Sequence, residues 1–387
     1  MAREEILKQV VYVSKNIRDV KFTADGTTID FVAPEEEGAA LSQAIEKIAN
    51  RLASALRTIQ RKVLFRSSIA DRDHFFDCRE LAGVHIFPPG QAVLEELPLA
   101  LFRYFDRVFE DFGLPWRATP MLAPTLISGD VLARCDYFRS FPHYVTFTTH
   151  LKEEAAVIER FRARHETENR LLDDTLGDMV NPTTCLAPAM CYHVYDLYTR
   201  RTIPVRGVTR SICGPCFRFE SANIRDLRRL QEFTMRELVF LGSREDVLAC
   251  RERSIEMMSK FLEHHSLAAE IRTASDPFFI SPDAVSKTYF QLRSDSKYEV
   301  SLFLPGGDRV AAASHNYHSD FFGRAFETDV ESKGRMHSVC VAFGLERWVY
   351  AFLVQHGTEP TRWPSCVRRA PEICQLEAAS KRLANPY

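Results

Sequence analysis

The stretch Cys216-Phe-Arg-Phe-Glu220 and the return run Phe233-Thr-Met-Arg-Glu237 decide the fold of this 387-residue chain. Alternate residues of a strand share one face, so Arg218 and Glu220 should point to the same side. A guanidinium there can pair bidentately with a phosphate, and a carboxylate can accept a hydrogen bond from an amino group. Phe233 offers a flat surface on which a base could stack. The alternative is a solvated, salt-bridged hairpin, since surface ion pairs are common.

A second informative stretch is Cys340-Val-Ala-Phe-Gly-Leu-Glu-Arg347, which continues into an apolar run. It predicts a strand, a glycine that allows close approach, and then a buried helix with Arg347 in its first turn. A cation is unfavourable at a helix N-terminus unless an anion lies nearby. A triphosphate would supply that anion, and an ordinary salt bridge is the simpler alternative.

The sequence Cys213-Gly-Pro-Cys216 matches a thioredoxin-type redox pair, whose low thiol pKa requires a helix N-terminus. The residues that follow are typical of a strand instead. The sequence contains no second CxxC to complete a zinc ribbon. Two small residues at a strand entry are therefore the favoured interpretation, and a redox role is the minor one.

The first 90 residues are predicted to form a small N-terminal α/β domain of unknown role. Alternating apolar residues around Asp25-Gly26 predict a hairpin over 20–32, and apolar residues spaced three and four apart predict a helix over about 40–62. The segment 64–90 is expected to be irregular, and Pro88-Pro89-Gly90 punctuates it. We place the boundary there, so residues 91–387 form the second domain.

Residues 91–387 show many strand-like runs with helices at their flanks. We expect helices near 92–112, 152–175, 243–264 and 344–356, a strand from Trp116 to Pro124, and strands at 143–149, 204–218, 233–242, 298–304, 310–317 and 336–343. Strands joined by hairpins with flanking helices indicate an antiparallel sheet in an α+β domain.

Composition limits the classes of function. The formal net charge is −2, without the basic excess typical of proteins that grip a long nucleic acid, which weakly disfavours a large tRNA- or DNA-binding surface. The charged N-terminus does not resemble a signal peptide, and no apolar run is long enough to span a membrane. We expect a soluble, cytoplasmic protein. Ten cysteines in a chain of this length do not indicate a disulfide scaffold.

Together these segments resemble the class II aminoacyl-tRNA synthetases. Residues 216–237 resemble motif 2, residues 342–347 resemble motif 3, and the helix from 92 with the strand ending at Pro124 resembles motif 1, the usual dimer element. The resemblance is closest to the atypical seryl-tRNA synthetases with an active-site zinc, and closer still to their truncated relatives, the amino acid:[carrier protein] ligases. It covers residues 90–365. It extends to the following stretches: Arg134–Pro142, Leu186–Tyr195, Asp276–Phe279, and Ser314–His318 with Phe322-Gly323.

The resemblance implies a zinc ion held by Cys191, Glu237 and Cys340. In the family, one Cys precedes motif 2, the Glu ends its return strand, and the other Cys precedes motif 3. Cys185 competes with Cys191, but the context Ala-Met-Cys-Tyr-His favours the latter. Three protein ligands leave one position open for the α-amino group of the substrate.

The resemblance also implies ATP-dependent formation of an aminoacyl-adenylate with Mg²⁺. Arg218 would neutralise the α-phosphate, Arg347 would hold the γ-phosphate, and catalysis would be mainly positioning and charge stabilisation. The remaining expected ligands are Phe233, which stacks on adenine, Glu220, which accepts from its amino group, Arg228 as a further ATP ligand, and Asn316, which orients the amino acid. His193, His315 and His318 lie in matched segments but are expected to be structural.

Two departures from the family pattern concern the nucleotide. The first glycine of motif 3 is Ala342 here, which could crowd it. The usual acidic Mg²⁺ ligand is replaced by the apolar run Val310–Ala313, with Glu299 as an alternative ligand.

Three functions follow from the resemblance. The first is transfer of a small amino acid (glycine, alanine or serine) to the phosphopantetheine thiol of a carrier protein, by a homodimer. The second is a seryl-type enzyme that charges tRNA, for which residues 1–90 and the basic end of the helix 40–62 would provide recognition. The third is an inactive paralogue with a regulatory or binding role, which intact Arg218, Glu220 and Arg347 disfavour.

Overall fold

The computed structural model describes residues 2–56, 61–78, 80–167, 170, 175–220, 224, 226–276 and 282–376. Its helices are α1 (Ala2–Val10), α2 (Gly38–Ala55), α3 (Glu96–Asp111), α4 (Gly129–Arg134), α5 (Tyr137–Ser140), α6 (Ala155–Thr167), α7 (Cys191–Leu197), α8 (Arg244–His264), α9 (Pro282–Arg293), α10 (Phe321–Ala325), α11 (Leu345–His356) and α12 (Ser365–Arg368). Its strands are β1 (Arg18–Phe22), β2 (Ile29–Val32), β3 (Val63–Arg66), β4 (Val84–Phe87), β5 (Gln91–Leu94), β6 (Thr119–Met121), β7 (Leu126–Ser128), β8 (Phe147–Thr148), β9 (Thr184–Leu186), β10 (Thr202–Ile203), β11 (Val208–Phe217), β12 (Glu232–Gly242), β13 (Ala269–Thr273), β14 (Lys297–Phe303), β15 (Arg309–Tyr317), β16 (Asp329–Val330), β17 (Gly334–Arg335) and β18 (His337–Gly344).

An eight-stranded sheet forms the centre of the fold, in the order β3-β13-β14-β15-β18-β12-β11-β6. Neighbouring strands in it are antiparallel, apart from β11 and β6, which run parallel. The long β11–β12 hairpin pairs Val208 with Leu241 at one end and Phe217 with Glu232 at the other. The expected α+β architecture, with a mainly antiparallel sheet flanked by helices, is confirmed.

The two faces of the sheet contact different groups of side chains, because successive strand residues point to opposite sides. Leu238 and Phe240 of β12 point into an apolar core formed with α3, α8 and α11. The largest fully buried side chains of this core are Phe105, Phe109, Phe240, Phe343, Trp348 and Phe352. Val239 and Leu241 point to the opposite face, where α7 and α10 pack. The face toward α3, α8 and α11 thus packs the main apolar core, and a functional site is expected on the opposite face.

Most elements of residues 91–387 lie where the sequence predicts them. The runs at 204–218, 233–242, 298–304, 310–317 and 336–343 correspond to β11, β12, β14, β15 and β18, and the helices at 243–264 and 344–356 correspond to α8 and α11. The helix predicted from 92 begins at Glu96, because β5 pairs with β4 first. The strand predicted over 116–124 shrinks to β6, since Leu114–Trp116 forms a helical turn with a proline at its start.

Other predictions for this part of the chain were wrong in extent or missing. The run 143–149 forms a strand only at Phe147–Thr148, because a 3-10 turn occupies Pro142–Tyr144. The helix predicted over 152–175 is α6, and residues 168–169 and 171–174 lie outside the described residues. β13 and α9 were not predicted. In β13 the charged Glu270 and Arg272 form an ion pair with each other. The strand is therefore buried although its sequence looks polar, and the pattern of apolar residues did not reveal it.

The N-terminal residues form the predicted hairpin and a shorter helix than predicted. β1 and β2 pair antiparallel around the turn at Asp25-Gly26. α2 ends at Ala55, so the helix predicted to residue 62 was too long. Residues 57–60, which include part of its expected basic end, lie outside the described residues. Lys62 directly precedes β3, and its amide donates to Thr273 Oγ1 at the end of β13.

In its described residues, the segment 64–90 is irregular between β3 and β4, as predicted, but its two ends form strands that were not predicted. β3 pairs with β13 and forms one edge of the central sheet, and β4 pairs with β5 in a hairpin. The central sheet therefore includes residues from both sides of the boundary expected near residue 90. A division of the chain at that position stays a prediction.

The two longest helices are α2, of 18 residues, and α8, of 21 residues. α8 contains many charged residues, among them Arg244, Glu245 and Asp246 in its first turn. Within the described ranges, no helix has the length and apolar character required to cross a membrane.

Phe109 tests the apolar core that supports the sheet. Its ring stacks on Phe343 at a centroid distance of 4.2 Å, lies 4.9 Å from Trp348, and is fully buried. We expect Phe109→Ala to lower the free energy of unfolding by about 3–5 kcal/mol, because it removes a buried ring and leaves a cavity. Denaturant unfolding measures this loss. Leu176→Ala, at a side chain that is 79% exposed, is the control, and equal losses in both variants would contradict the expected packing.

Candidate active site and metal centre

The register of β12, β18 and β15 places the candidate residues on the second face of the sheet. Glu237 of β12 lies opposite Ala342 of β18, and Cys340 lies two residues before Ala342 on β18. Cys340 is in turn opposite Asn316 of β15. Because residues two apart in a strand point to the same side, all four residues face that side together. Ala342, which replaces a glycine of the resembling family, is therefore a direct neighbour of Glu237.

Three side chains of metal-ligating type meet on this face. One ligand atom each from Cys191, Glu237 and Cys340 lies within 4.8 Å of the other two, and all three residues are buried. The Cys340 thiol donates to Glu237 Oε1 over 3.2 Å. The amides of Met190 and Cys191, at the start of α7, donate to Glu237 Oε2 over 2.6 and 2.9 Å. The structure thus brings together the three residues to which the resemblance assigns zinc.

The donor set of this cluster fits a zinc ion. Two sulfurs and one carboxylate oxygen are ligands that zinc accepts, and a three-ligand site leaves a fourth position for a substrate atom. The hydrogen bond with Cys191, together with burial beside Glu237, raises the pKa of Cys340 well above its ordinary value. The bond with Cys340 lowers the pKa of Cys191, but burial and Glu237 outweigh it and raise the value to about 11. Both thiols therefore keep their protons unless a cation replaces them.

The other candidate cysteines lie apart from this cluster. Cys185 is in β9, opposite Ile127 and Phe147. Cys213 packs against the first core and Cys216 belongs to the second, so their side chains point to opposite faces of β11. Burial raises the pKa of both thiols. They do not form the low-pKa pair that thiol redox chemistry requires.

Arg218, Phe233 and Glu220 lie at the end of the β11–β12 hairpin where the connection between the two strands begins and ends. The Arg218 guanidinium carbon lies 5.3 Å from the centroid of the Phe233 ring, and its Nε donates to the carbonyl of Pro188 over 3.1 Å. Glu220 is buried, with its Oε2 3.0 Å from Arg229 Nε. The group combines a cation, a flat ring and a buried carboxylate, which are the features expected of a nucleotide site.

Arg347 lies in the first turn of α11, as predicted. Its Nε donates to the carbonyl of Arg228 over 2.9 Å, and its Nη1 donates to the carbonyl of Ala311 over 2.8 Å. Burial lowers the pKa of Arg347, and repulsion from Arg229 and Arg218 adds to the effect. A buried guanidinium that two other guanidinium groups repel makes this part of the face attractive to an anion.

Arg228 is placed differently from the other expected ATP ligands. Its Nε donates to Asp226 Oδ1 over 2.8 Å, and its Nη1 lies 3.1 Å from Asp308 Oδ2. Its guanidinium also lies over the Tyr350 ring, 5.3 Å from the centroid. A phosphate contact by Arg228 would require these ion pairs to open. Arg229, which is not among the expected ligands, is the one that reaches Glu220.

Asn316, the expected substrate residue, lies in a polar corner of the same face. Its Nδ2 donates to Ser314 Oγ over 3.0 Å, while its Oδ1 is buried without a hydrogen-bond partner among the described residues. Lys297, opposite Asn316 on β14, reaches Asp276 Oδ1 at 2.6 Å and Glu299 Oε1 at 2.9 Å. Glu299, the alternative Mg²⁺ ligand, is therefore in an ion pair. Sequence reasoning missed Lys297, because a single lysine in a strand matches no motif.

The three histidines of the matched segments are uncharged. Burial lowers the pKa of His315 to about 3 and that of His318 to about 4. Burial also lowers the pKa of His193. His315 Nδ1 lies 2.8 Å from Ser254 Oγ, away from the metal-ligating cluster, while Tyr195 packs against His318. These contacts agree with the structural role expected for them.

Comparison with known proteins relates the chain to synthetases and ligases. The family described as "tRNA synthetase class II core domain (G, H, P, S and T)" matches residues 178–356. The chain is 33% identical over 277 residues to amino acid–[acyl-carrier-protein] ligase 2 of Bradyrhizobium diazoefficiens, which covers 69% of this chain and 78% of the relative. It is 27% identical over 311 residues to the type-2 serine–tRNA ligase of Methanothermobacter thermautotrophicus, which covers 76% of this chain and 60% of the relative.

Among solved structures, the chain is similar to the SerRS of M. kandleri in complex with tRNASec of A. aeolicus. The TM-score is 0.68 at 20% identity, and the match covers 96% of this chain and 75% of that one. At this identity the likeness shows the fold alone.

Glu346 gives the site a measurable pH dependence. Its two carboxylate oxygens accept from the Thr234 amide over 2.8 and 3.0 Å, which fixes the strand next to Phe233. Burial raises its pKa from 4.5 to about 7, although the Thr234 amide acts in the opposite direction. A raised pKa adds stability that is complete below pH 4.5 and is lost as the pH rises through about 7.

We therefore expect wild type to lose stability relative to Glu346→Gln as the pH rises through this window. The relative loss should approach roughly 3 kcal/mol, because each unit of pKa shift corresponds to about 1.4 kcal/mol. Urea unfolding of both proteins across the window measures it. Glu359→Gln, at a surface ion pair with Arg362, is the control. A constant difference between wild type and Glu346→Gln would contradict the assigned shift.

Proposed function

This chain belongs to the amino acid–[acyl-carrier-protein] ligases, relatives of the type-2 serine–tRNA ligases with a class II synthetase core, and on that premise we propose that it activates a small amino acid with ATP and transfers it to a carrier protein. In the first step, a carboxylate oxygen of the amino acid attacks the α-phosphorus, which forms the aminoacyl-adenylate and releases pyrophosphate. In the second, the thiolate of a phosphopantetheine group attacks the carbonyl carbon. The bond to the adenylate oxygen breaks, AMP leaves with the electron pair, and an aminoacyl thioester remains.

The observation that supports this proposal most strongly is the meeting of two chemically different groups on one sheet face. One is the buried cluster of Cys191, Glu237 and Cys340, which fits a cation. The other is the set of guanidinium groups around Arg218 and Arg347, which favours an anion. A salt-bridged hairpin alone would explain the arginines but not the cluster. A reaction between a metal-held amino acid and a triphosphate requires both.

In the proposed site, Cys191, Glu237 and Cys340 hold zinc. When bound, zinc supplies a Lewis-acidic position that takes the neutral α-amino group of the substrate. The carboxylate of Glu237 is preorganised for this role. The amides of Met190 and Cys191 hold one of its oxygens, and the other oxygen faces Cys340. Asn316, opposite Cys340, orients the bound amino acid. Its buried Oδ1 can accept a hydrogen bond from the substrate.

The same face binds ATP with Mg²⁺. Arg218 neutralises the α-phosphate at which like charges must meet, and Arg347 holds the γ-phosphate. Adenine stacks on Phe233, and Glu220 accepts from its amino group. Arg228 stays a proposed ATP ligand, with its partners Asp226 and Asp308 released on binding. These roles use charge and position rather than proton transfer, which agrees with the absence of a titrating histidine among the matched residues.

We also propose that the protein forms a homodimer through the region of α3 and β6, which resembles motif 1. Leu114 lies between α3 and β6, Leu122 follows β6 directly, and their side chains are 68% and 92% exposed. Apolar side chains that a partner would cover are typical of protein contacts.

A second candidate function is the charging of tRNA. The similarity to type-2 serine–tRNA ligases supports it, although this chain covers only 60% of that relative's length. The net charge of −2 argues against a large tRNA-binding surface. The third possibility, an inactive paralogue, is disfavoured because Arg218, Glu220 and Arg347 converge as an active enzyme would need.

Zinc content tests the metal cluster directly. We expect the purified chain to contain about one zinc per chain, as in other sites with three protein ligands. Cys340→Ala should contain essentially none, because a buried pair of donors cannot hold the ion tightly. Elemental analysis after dialysis measures both. Cys78→Ala removes a buried thiol from the other core and is the matched control. Zinc retained in Cys340→Ala would contradict the assignment.

Exchange and transfer assays test the reaction. We expect amino-acid-dependent ATP–pyrophosphate exchange without tRNA, strongest with glycine, alanine or serine. Arg218→Ala should lower the exchange rate at least about 100-fold, since it removes transition-state charge stabilisation. Arg293→Ala, at an exposed arginine of α9, is the control.

The acceptor decides between the candidate functions. Radiolabelled amino acid is offered together with a phosphopantetheinylated carrier protein and with bulk tRNA. Label on the carrier protein supports the proposal, label on tRNA favours the second candidate, and no exchange with any of the twenty amino acids favours the inactive paralogue.

A further inference from the structure

The N-terminal helix α1 is fixed at its first half by a buried acidic side chain. Glu5 is only 2% exposed. Its Oε1 accepts from Arg61 Nη2 over 2.9 Å, and its Oε2 accepts from Ser275 Oγ over 2.5 Å. Ser275 immediately precedes Asp276, the carboxylate that holds Lys297 opposite Asn316. This end of α1 is therefore joined to the amino-acid side of the proposed site.

Tyr12, two residues after the end of α1, reaches the nucleotide side. The Tyr12 hydroxyl donates to Glu220 Oε2 over 3.5 Å, a long hydrogen bond to the carboxylate that also faces Arg229. The Tyr12 ring lies 4.3 Å from that of His143 and 6.1 Å from that of Tyr144. Burial raises the pKa of Tyr12, and the charges of Tyr144 and Glu220 and a side-chain hydrogen bond with Tyr144 add to the effect. The phenol therefore keeps its proton, for which the Tyr144 hydroxyl and Glu220 Oε2 are the neighbouring acceptors.

An apolar core holds α1 between these two contacts. Ile6 and Val10 are buried against α2, in a cluster with Leu41 and Ile45. The cluster includes Leu292 of α9, an element of the main body of the chain. α1 therefore packs against the main body, with Glu5 bonded to Ser275 in the segment after β13 and with Tyr12 at Glu220.

We infer that Tyr12 is a positioning residue that orients Glu220 for the base of ATP, so that the N-terminal segment 2–12 forms part of the wall of the active site. A carboxylate that reads an amino group must present an oxygen in a fixed direction. Arg229 and Tyr12 both contact Oε2 of Glu220, one through a charge and the other through a neutral donor. This inference rests on the proposed function for the identity of the nucleotide.

The inference gives residues 1–90 a role different from tRNA recognition. Arg61, part of the expected basic contact surface, pairs with Glu5 inside the protein. The N-terminal residues would then set nucleotide specificity. A purine with an amino group at position 6 donates to Glu220, whereas guanine presents an oxygen that the carboxylate repels.

Tyr12→Phe tests the inference in the full-length chain, because it removes only the hydroxyl. In ATP–pyrophosphate exchange we expect the KM for ATP to rise about three- to tenfold, with kcat and the KM for the amino acid nearly unchanged. The preference for ATP over GTP should fall by a similar factor. Tyr104→Phe is the matched control, since it removes a buried hydroxyl bonded to His265 in the opposite core. It should leave both quantities at the wild-type values.

Two results in exchange would overturn the inference. One is a Tyr12→Phe variant with unchanged KM for ATP and unchanged ATP-to-GTP preference. The other is an equal weakening toward ATP, GTP and the amino acid, which indicates a structural role only. If the wild type shows no exchange, the proposed function fails, and calorimetric binding of ATP and GTP decides the inference instead. Selective loss of ATP affinity in Tyr12→Phe then supports it, and equal affinities, or a wild type that binds neither nucleotide, overturn it.

Discussion

The site depends on one carboxylate, that of Glu237, which is buried between two thiols. Burying a charge without partners costs several kcal/mol, on the order of the net stability of a domain. Glu237 avoids this cost because two amides of α7 and the Cys340 thiol contact it. These contacts lock α7 to β12 and β18. A shift of β12 by one residue relative to β18 would point Glu237 into the aromatic core and separate it from Cys191 and Cys340. The strand register therefore determines whether the site can form.

The candidate active face contains two unbalanced groups of charges next to each other. The thiols of Cys191 and Cys340 keep their protons beside the Glu237 carboxylate, so this group can take a cation. Arg347 is repelled by Arg229 and Arg218, so this group can take an anion. Phe109, Trp348 and their neighbours on the opposite face form the large apolar core that supports the sheet. The sheet thus separates a stabilising face from a reactive one.

Apolar, strand-like runs predicted most strands of the central sheet, and the resemblance predicted that Cys191, Glu237 and Cys340 lie together, as they do. The sequence was insufficient where charged residues are buried in ion pairs. Glu270 and Arg272 make β13 resemble a polar segment, and the importance of Lys297 depends on its ion pairs with Asp276, 21 residues earlier, and with Glu299. The same holds for Tyr12. No spacing rule connects it with Glu220, which is 208 residues away.

The position of β3 at the edge of the sheet has a consequence for biosynthesis. Val63–Arg66 leave the ribosome early, but they pair with Ala269–Thr273, about 200 residues later. Contacts between such distant segments are slow to form, and an uncovered strand edge can pair with other chains. Until β3 docks, β13 would present such an edge. The N-terminal residues therefore also act as an intramolecular guard against aggregation, and a chain shortened to residues 91–387 would lack that protection.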